Sequence, residues 1–239
     1  MPKSRSFFPQ RTYLITRRCT QRQFLLLPYP DITQAFGYCL ALAQQHVPSI
    51  RIHAVCALSN HFHLIATDEH AELPAFMEYL DGIAARCLNC YHGRWENFWE
   101  AGRESYSAVF LVDEEDVLDK MVYTLCNPVA AGLVPRGIEW PGLRSATLKQ
   151  GPQRLVFQRP DFFFTENMPE QVEVLVEEPE GSWDLGDEET FGDVYHERVL
   201  HEESELRRKI EASGRPFLGR KGVLAQSPTV SPRGFCGRR

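Results

Sequence analysis

Residues 50–67 read IRIHAVCALSNHFHLIAT, two alternating apolar stretches that are separated by the turn signal Ser59-Asn60. The first stretch places every second side chain from Ile50 to Leu58 on one face, which predicts a strand. A second strand is expected at 61–67, so the whole stretch predicts a β-hairpin. Because side chains alternate along a strand, His61 and His63 are expected on one face, where both can reach one metal ion.

The segments that flank this hairpin predict further strands and helices. Their order is strand, helix, strand, strand, helix, strand, helix. That order predicts an α+β fold, a ferredoxin-like split βαβ unit with an antiparallel sheet and helices on one face. Besides the hairpin, the expected elements are strands at Arg11–Arg18 and Ser105–Val112, and helices at Asp31–His46, Leu73–Tyr91 and Asp113–Leu125.

The pattern fades after Trp140-Pro141-Gly142. Residues 166–205 contain fifteen acidic residues against one basic residue, Arg198, and few aliphatic ones. We therefore expect this segment to be extended or weakly ordered, with a solvent-exposed helix at 194–212 and a flexible basic tail over the last twenty residues. The chain is accordingly divided into a unit of 1–148, an acidic extension of 149–205 and a basic tail of 206–239. Truncation after about Thr147 is expected to leave a folded domain.

Composition places the chain among cytoplasmic globular proteins. It has 239 residues, 43% of them hydrophobic, and no apolar run long enough to cross a membrane. The charged N-terminus leads into no apolar stretch, so a signal peptide is not expected. The seven cysteines have no disulfide-like spacing and are expected to be free thiols, and Cys87-Leu88-Asn89-Cys90 lacks the second pair of a zinc site.

Charge is distributed unevenly along the chain. The net charge is −6, yet residues 1–30 contain six basic residues and no acidic one, and residues 206–239 contain nine basic residues against one acidic. A local basic stretch can bind an anion whatever the net charge is.

Tyr123 and Asn127 lie one helical turn apart and off the apolar stripe of their predicted helix, which Pro128 is expected to end or kink. Together with the two histidines they suggest metal-assisted phosphoryl transfer, in which a tyrosine hydroxyl attacks a polarised phosphate.

The spacing of the histidines excludes two other histidine motifs. A histidine-triad hydrolase needs a third histidine at 65, and an H-x-H-x-D-H hydrolase needs Asp then His, but the chain has Ile65-Ala66. Imidazole suits zinc, whereas phosphate oxygens suit magnesium or manganese.

Three segments resemble a known family. Asn60-His61-Phe62-His63 resembles the N-H-x-H segment of the single-tyrosine HUH transposases. Tyr123–Val134, YTLCNPVAAGLV, resembles the Y-x-x-x-N-P-V-x-A-G-L-V segment of the REP-associated tyrosine transposase branch, and 140–145, WPGLRS, is similar to the segment that closes its domain. The resemblance covers about residues 8–148. Leu58-Ser59 replaces the usual Met-Pro, and Lys120-Met121-Val122 lacks the arginine that often precedes the tyrosine.

The resemblance implies a ferredoxin-like fold and a divalent ion, Mg²⁺ or Mn²⁺, on His61 and His63, with Asn127 as third ligand. It further implies that Tyr123 is the nucleophile on single-stranded or hairpin DNA. The expected activity is that of a single-stranded DNA endonuclease and strand transferase with a 5′-phosphotyrosine intermediate.

Several roles stay open in the sequence. The general base is sought among Asp116, Asp119 and His53. Trp95, Phe98 and Trp99 either stack on bases or pack in the core. Contacts to the DNA backbone are expected from four arginines, although a solvated charged strand explains them equally well: Arg11, Arg17, Arg18 and Arg22.

Two alternative functions remain. One is a catalytically idle DNA-hairpin binding or regulatory protein. The other is a metal-dependent phosphodiesterase that uses water, which needs a carboxylate base and does not need Tyr123. The DNA sequence recognised and the choice between monomer and homodimer are undetermined.

Overall fold

The computed structural model describes residues 6–102, 106–181, 183 and 189–232. Within these ranges the chain forms strands and helices that alternate in its first half, as predicted. The strands are β1 (Arg11–Arg18), β2 (Ile50–Leu58), β3 (His61–Asp68), β4 (Ser107–Phe110), β5 (Gln153–Gln158) and β6 (Gln171–Val176). The helices are α1 (Pro30–His46), α2 (Leu73–His92), α3 (Glu114–Ala130), α4 (Phe191–Ala212) and α5 (Gly219–Leu224).

The six strands form one sheet in the order β4-β1-β3-β2-β6-β5. The first four strands pair antiparallel, and α1 and α2 make the crossovers between β1 and β2 and between β3 and β4. This is the ferredoxin-like α+β arrangement that the sequence predicts, and the fold class is confirmed. Part of the predicted strand 105–112, Ser105, lies outside the described residues.

Alternation along β3 assigns the two faces of the sheet. Phe62 packs on Phe36 of α1, with ring centroids 5.1 Å apart, whereas the neighbouring His63 contacts Tyr123 of α3. Helices α1 and α2 therefore cover one face and α3 covers the other, so the expectation that all helices lie on one face is wrong for α3. Since α3 is amphipathic and buries Leu118, Met121 and Leu125, it requires a sheet face of its own.

The predicted end of α3 at Asn127 is wrong, because the helix continues through Pro128 to Ala130. A proline in the last turn removes a single backbone hydrogen bond, since only its own N–H is missing. Leu125, Cys126 and Val129 are buried, and this packing offsets that loss.

The expected weak order of residues 166–205 is also wrong for the described part of that segment. Strand β6 pairs parallel to β2, and β5 pairs antiparallel to β6, so both extend the sheet. Val172, Val174 and Val176 are buried in the main core. Strand β5 packs closely on α1, because a Cβ at Gly37 would lie 2.1 Å from the ring of Phe157. The acidic composition concealed the alternating apolar pattern of β6.

Helix α4 is anchored on α3 rather than exposed on all sides. Tyr195 is fully buried and donates a hydrogen bond to the carbonyl of Met121, at 3.2 Å. Thr190 and Asp193 form a capping box at the start of the helix. Glu203 of this helix pairs with Arg144, at 3.1 Å. Among the described residues, no ion pair joins the segment to β1.

Where the structure describes the basic tail, part of it packs on the rest of the fold. Helix α5 buries Val223 in a small second core with Leu58, Val134 and Trp140. Further on, Phe24 donates its backbone N–H to the carbonyl of Val230 at 3.0 Å. The segment therefore returns to the turn that follows β1. No helix of the described residues is long and apolar enough to cross a membrane.

Candidate metal and tyrosine site

Tyr123, the predicted nucleophile, and His63, a predicted metal ligand, line the same groove, which lies between α3 and strands β1, β3 and β4. The groove has a volume of about 410 Å³. We call it the tyrosine groove; its lining residues are Leu14, Thr16, Arg18, His63, Glu100, Tyr106, Ser107, Lys120 and Tyr123.

The strand register places both histidines on the groove side of the sheet. His63 pairs with Thr16 of β1, and His61 pairs with Arg18. The two imidazole rings lie edge to face, with centroids 4.9 Å apart. The predicted sharing of a face is therefore observed.

Each imidazole is held through its Nδ1 atom. The Nδ1 of His61 lies 2.7 Å from the Oδ1 of Asn60, which accepts a hydrogen bond from it. The Nδ1 of His63 lies 2.8 Å from the hydroxyl of Thr16. The Nε2 of His63 is buried and, within the described chain, has no hydrogen-bond partner. A metal-binding histidine has this arrangement, with one nitrogen oriented by a neighbour and the other left for the metal.

Electrostatics keep both imidazoles neutral. Burial and, to a smaller extent, the positive charge of Arg18 lower the pKa of His61 to about 4. Burial lowers the pKa of His63 to about 3, with additional contributions from His61 and Arg18. A neutral imidazole keeps the lone pair that a metal ion requires. The pair therefore fits a divalent cation at neutral pH.

Tyr123 extends from α3 toward this pair. Its ring centroid lies 5.3 Å from that of His63, and 45% of its surface is exposed. Among the described residues its hydroxyl has no hydrogen-bond partner. The hydroxyl is thus accessible to an incoming phosphate. Helix α3 is fixed at its start by Asp113, whose Oδ1 accepts from the N–H of Asp116 at 2.9 Å.

Asn127 is buried on α3, one turn after Tyr123, and does not line the tyrosine groove. Its role as third metal ligand remains a prediction. The described residues contain no group of three or more His, Cys, Asp or Glu that could hold a metal ion. A metal ion held by the two histidine nitrogens would therefore need its further ligands from an amide, water or substrate.

The four predicted DNA-contacting arginines do not share one surface. Arg18 lines the tyrosine groove, and Arg22 lies in the turn where its carbonyl accepts from the amide of Asn60. Arg11 is at the far end of β1, with its guanidinium 5.3 Å from the ring centroid of Phe110.

Arg17 has a structural role instead. It is only 6% exposed, and its Nε lies 2.8 Å from a carboxylate oxygen of Asp81 on α2. Its Nη1 donates to the carbonyl of Glu100 at 2.9 Å. Odd-numbered residues of β1 face α2, which explains why Arg17 and Arg18 have different roles.

None of the three candidate bases lies in the groove. His53 is buried between the carbonyl of Glu177 and the hydroxyl of Thr67, both at 2.8 Å. Asp116 accepts from the backbone of Val112 at the start of α3, and Asp119 pairs with Arg198. Glu100, which sequence reasoning did not select, is the carboxylate that lines the groove.

Lys120 was also missed. It lies three residues before Tyr123 on α3, so both side chains share one helix face and line the groove. Within the described part of the chain, neither Lys120 nor Arg18 has a carboxylate at ion-pair distance. The helical spacing between Lys120 and Tyr123 in the sequence could have identified this cation of the groove.

The three aromatic residues that could stack on bases have different environments. Phe98 and Trp99 are buried in the main core, as core packing requires. Trp95 is 97% exposed. Of the three, Trp95 alone remains a candidate for stacking.

The thiol predictions are confirmed for the six cysteines that the structure describes, all of which are free. In the C-x-x-C segment, Cys87 is buried and Cys90 is exposed.

Neither a family model nor a curated protein matches this sequence. Two solved structures are similar in part. One is a REP-associated tyrosine transposase bound to a REP hairpin, with 19% identity and a TM-score of 0.48 over 59% of this chain and 81% of that one. The other is a Deinococcus radiodurans R1 protein provisionally named as a transposase, with 19% identity and a TM-score of 0.36 over 52% of this chain and 95% of that one. Likenesses at this level establish neither a family nor an activity.

Proposed function

We propose that the protein is a metal-dependent single-stranded DNA endonuclease and strand transferase whose nucleophile is Tyr123. One observation supports this most strongly: the buried, unpartnered Nε2 of His63 lies beside a half-exposed tyrosine whose ring is 5.3 Å away. A buried polar nitrogen without a partner is costly unless a ligand satisfies it. The proposed ligand is Mg²⁺ or Mn²⁺, held by His61 and His63, with Asn127 as the third donor.

The proposed reaction forms and breaks one bond at phosphorus. The Tyr123 oxygen loses its proton and attacks the scissile phosphate, and the bond from phosphorus to the 3′ oxygen breaks. The 3′ oxygen leaves as a hydroxyl, and the 5′ phosphate remains on the tyrosine. The reverse attack by a 3′-hydroxyl rejoins DNA without a nucleotide cofactor. A bound divalent ion supplies Lewis-acid stabilisation of the phosphate charge.

The residues of the groove have separate tasks in this mechanism. Thr16 and Asn60 orient the two imidazoles. Arg18 and Lys120 bind the non-bridging phosphate oxygens, since both are cations without a carboxylate partner among the described residues. Glu100 is placed to accept the phenolic proton, directly or through water.

The substrate is proposed to be single-stranded or hairpin DNA. Its binding should weaken as salt rises, because cations on the protein displace counterions from the phosphates. Single strands and hairpin tips offer exposed bases and a flexible backbone, which a plain duplex does not. A plain duplex should therefore bind more weakly than its hairpin-forming strand.

The test uses Tyr123→Phe, which removes the hydroxyl with almost no change in volume. The expected result is loss of both cleavage and covalent protein–DNA adducts on labelled hairpin DNA. Tyr79→Phe is the matched control, because Tyr79 lies on α2 on the other side of the sheet and stacks on His46. Retained cleavage by Tyr123→Phe would overturn the tyrosine mechanism.

Glu100 supports a second candidate, a metal-dependent phosphodiesterase that uses water. A carboxylate in the same groove as His63 could activate water for attack on a phosphate. This enzyme would cleave DNA in the Tyr123→Phe variant without any adduct. If the wild type neither cleaves nor forms an adduct but binds hairpins, the catalytically idle binding protein is the remaining reading.

The metal requirement has its own test. His61→Ala and His63→Ala should abolish cleavage, and EDTA should have the same effect on the wild type. Both substitutions should also remove the stabilisation of the folded protein by Mn²⁺ in thermal unfolding, which is a readout independent of activity. His201→Ala, an exposed histidine on α4, is the control. Undiminished activity in EDTA would exclude the proposed metal.

A further inference from the structure

The ion pair between Arg17 of β1 and Asp81 of α2 is a buried charged group that the proposed reaction does not use. The Nε of Arg17 lies 2.8 Å from a carboxylate oxygen of Asp81, and the two side chains are only 7% and 15% exposed. Burial raises the pKa of Asp81 to about 7, against the attraction of Arg17. The desolvation of two buried charges can cancel their attraction, so stability alone is a weak explanation for such a pair.

Arg17 also contacts the segment that carries Glu100 to the tyrosine groove. Its Nη1 donates a hydrogen bond to the carbonyl of Glu100 at 2.9 Å. The N–H of Glu100 in turn donates to the carbonyl of Arg18, also at 2.9 Å. Two consecutive residues of β1 therefore hold the carbonyl and the N–H of Glu100, the residue that brings a carboxylate to the groove.

Trp99 connects the same segment to α2. Its Nε1 donates to the carbonyl of Asp81 at 2.9 Å, and its ring centroid lies 5.4 Å from the guanidinium carbon of Arg17. Trp99 also forms an antiparallel bridge with Cys19, which extends the strand pairing beyond the end of β1. Since successive side chains of an extended chain alternate, buried Trp99 on the helix side of the sheet places Glu100 on the groove side.

Arginine suits this position better than lysine. Its planar guanidinium holds Nε and Nη1 in a fixed relation, so one side chain contacts the carboxylate of Asp81 and the carbonyl of Glu100 together. A lysine has a single ammonium group on a flexible stem. Arg17 thus joins α2 to Glu100, although neither Arg17 nor Asp81 lines the tyrosine groove.

We propose that Arg17 and Asp81 are positioning residues that hold Glu100 where it accepts the proton of Tyr123. Asp81 fixes the guanidinium, and the guanidinium fixes the backbone of Glu100. The Glu100 carboxylate then takes the proton as the phenolic oxygen attacks phosphorus. This inference rests on the proposed function, because the proton transfer belongs to that reaction.

The first test measures cleavage of labelled hairpin DNA by the full chain at saturating DNA and Mn²⁺, together with the affinity for the hairpin. Arg17→Lys keeps a cation beside Asp81 and loses the second contact, to Glu100. It should lower the saturated rate about 10- to 100-fold, the loss expected when a reacting group is misplaced. The affinity should stay unchanged, because Arg17 lies outside the groove.

The matched control is Arg51→Lys. Arg51 is another arginine of the sheet that pairs with a carboxylate through its Nε, at 2.9 Å from Glu177. It does not line the tyrosine groove, so the substitution should leave the cleavage rate unchanged. A weaker hairpin affinity with an unchanged saturated rate in Arg17→Lys would make Arg17 a DNA contact and contradict the positioning role.

Two combined variants separate positioning from stability. Arg17→Met together with Asp81→Leu replaces the pair by apolar side chains, a change that folds often tolerate because no charge is left unpaired. This variant should melt cooperatively and still lose cleavage as Arg17→Lys does. In a Glu100→Gln background, Arg17→Lys should cause no further loss, because no carboxylate remains to be misplaced.

Hydrogen exchange in the free protein gives a readout that needs no reaction. The N–H of Glu100 is bonded to the carbonyl of Arg18, and its exchange reports local opening of the segment. Arg17→Lys should raise the exchange rate of this N–H at least about 10-fold, since it removes the neighbouring anchor. Arg51→Lys should not change it.

Three results would overturn the proposal. One is a wild-type cleavage rate in the folded variant that combines Arg17→Met and Asp81→Leu. The second is an equal fold-loss from Arg17→Lys with and without the Glu100 carboxylate, and the third is unchanged exchange of the Glu100 N–H. Failure of the proposed function is distinguishable: a wild type that neither cleaves DNA nor forms an adduct refutes that function, and the exchange rate still decides whether the pair holds Glu100.

Discussion

Thr16 holds the imidazole of His63 in the orientation that leaves its Nε2 free, so its loss should weaken metal binding more than folding. Thr16→Val keeps the shape of the side chain and removes the hydroxyl that lies 2.8 Å from Nδ1. The ring can then rotate, and the tautomer with a proton on Nε2 is no longer disfavoured. Loss of such an orienting partner typically costs about 10- to 100-fold in metal affinity, which is roughly 1.4–2.8 kcal/mol.

The same strand offers a matched control. Thr12 also faces the groove side of β1, and its hydroxyl lies 2.8 Å from that of Thr67, away from the histidine pair. Thr12→Val therefore removes a hydrogen bond of similar length from the same strand. Each variant should lose about 1 kcal/mol of unfolding free energy, but only Thr16→Val should change the metal requirement.

The assay is a Mn²⁺ titration of hairpin cleavage, accompanied by thermal unfolding with and without Mn²⁺. Thr16→Val should need about 10- to 100-fold more Mn²⁺ for half-maximal cleavage and should approach wild-type rates at saturation. An unchanged Mn²⁺ midpoint would refute the orienting role of Thr16. An equal shift in Thr12→Val would mean that the effect arises from general loosening of β1.

Three further predictions concern other parts of the molecule. Burial lowers the pKa of His53 from 6.5 to about 4. The neutral form therefore contributes its full stabilisation above pH 6.5, and this stabilisation is lost as the pH falls toward 4. Urea unfolding at the two pH values should show a decrease of up to about 3 kcal/mol in unfolding free energy, and His53→Gln should not show it. Lys120→Gln should reduce cleavage about 10-fold and lower the slope of log K against log salt by about 1, whereas Lys120→Arg and the exposed control Lys209→Gln should not. The sequence predicted that truncation after Thr147 leaves a folded domain. The structure instead predicts that this truncation abolishes cooperative thermal unfolding, because it removes the buried valines of β6, each of which contributes about 1.5–3 kcal/mol. A fragment with a sharp circular-dichroism melt would show that the first 147 residues fold alone.

Local sequence patterns predict the first half of the fold because each element there depends on its own periodicity. The alternation at 50–67 fixes both the hairpin and the shared face of His61 and His63. The spacing of Tyr123 from the apolar stripe of α3 likewise places it away from the core. None of these inferences requires knowledge of which strands are neighbours.

The partners that complete the site depend on strand pairing, which the sequence does not reveal. Thr16 orients His63 only because β1 pairs with β3 in one register. Glu100 reaches the groove through the pairing of its loop with Arg18. The separation of Arg17 from Arg18 follows once the buried face of β1 is known. Lys120 is different, since its helical spacing from Tyr123 was visible in the sequence.

The predicted weak order of residues 166–205 was wrong because it followed their acidic composition and not the alternating apolar pattern of β6. Fifteen acidic residues in 166–205 suggested weak order, yet the stretch QVEVLV of β6 alternates and buries its valines. Some of the carboxylates pair with cations from other parts of the chain, as Glu203 does with Arg144 and Glu177 with Arg51. High net charge disfavours order only when the charges lack partners and apolar residues are absent, and neither condition holds here.

A comparison of His53 with His63 distinguishes a structural histidine from a candidate metal ligand. In the same sheet, buried His53 uses both of its nitrogens in hydrogen bonds, as a purely structural histidine should. Buried His63 uses only one nitrogen, and the residue lines the groove that contains Tyr123. The two buried histidines thus differ in the number of their hydrogen bonds. His63, which has a nitrogen without a hydrogen-bond partner, lies beside Tyr123, a potential nucleophile. A role in packing explains His53 completely and leaves His63 unexplained, whereas a metal ligand explains why His63 alone keeps a free nitrogen.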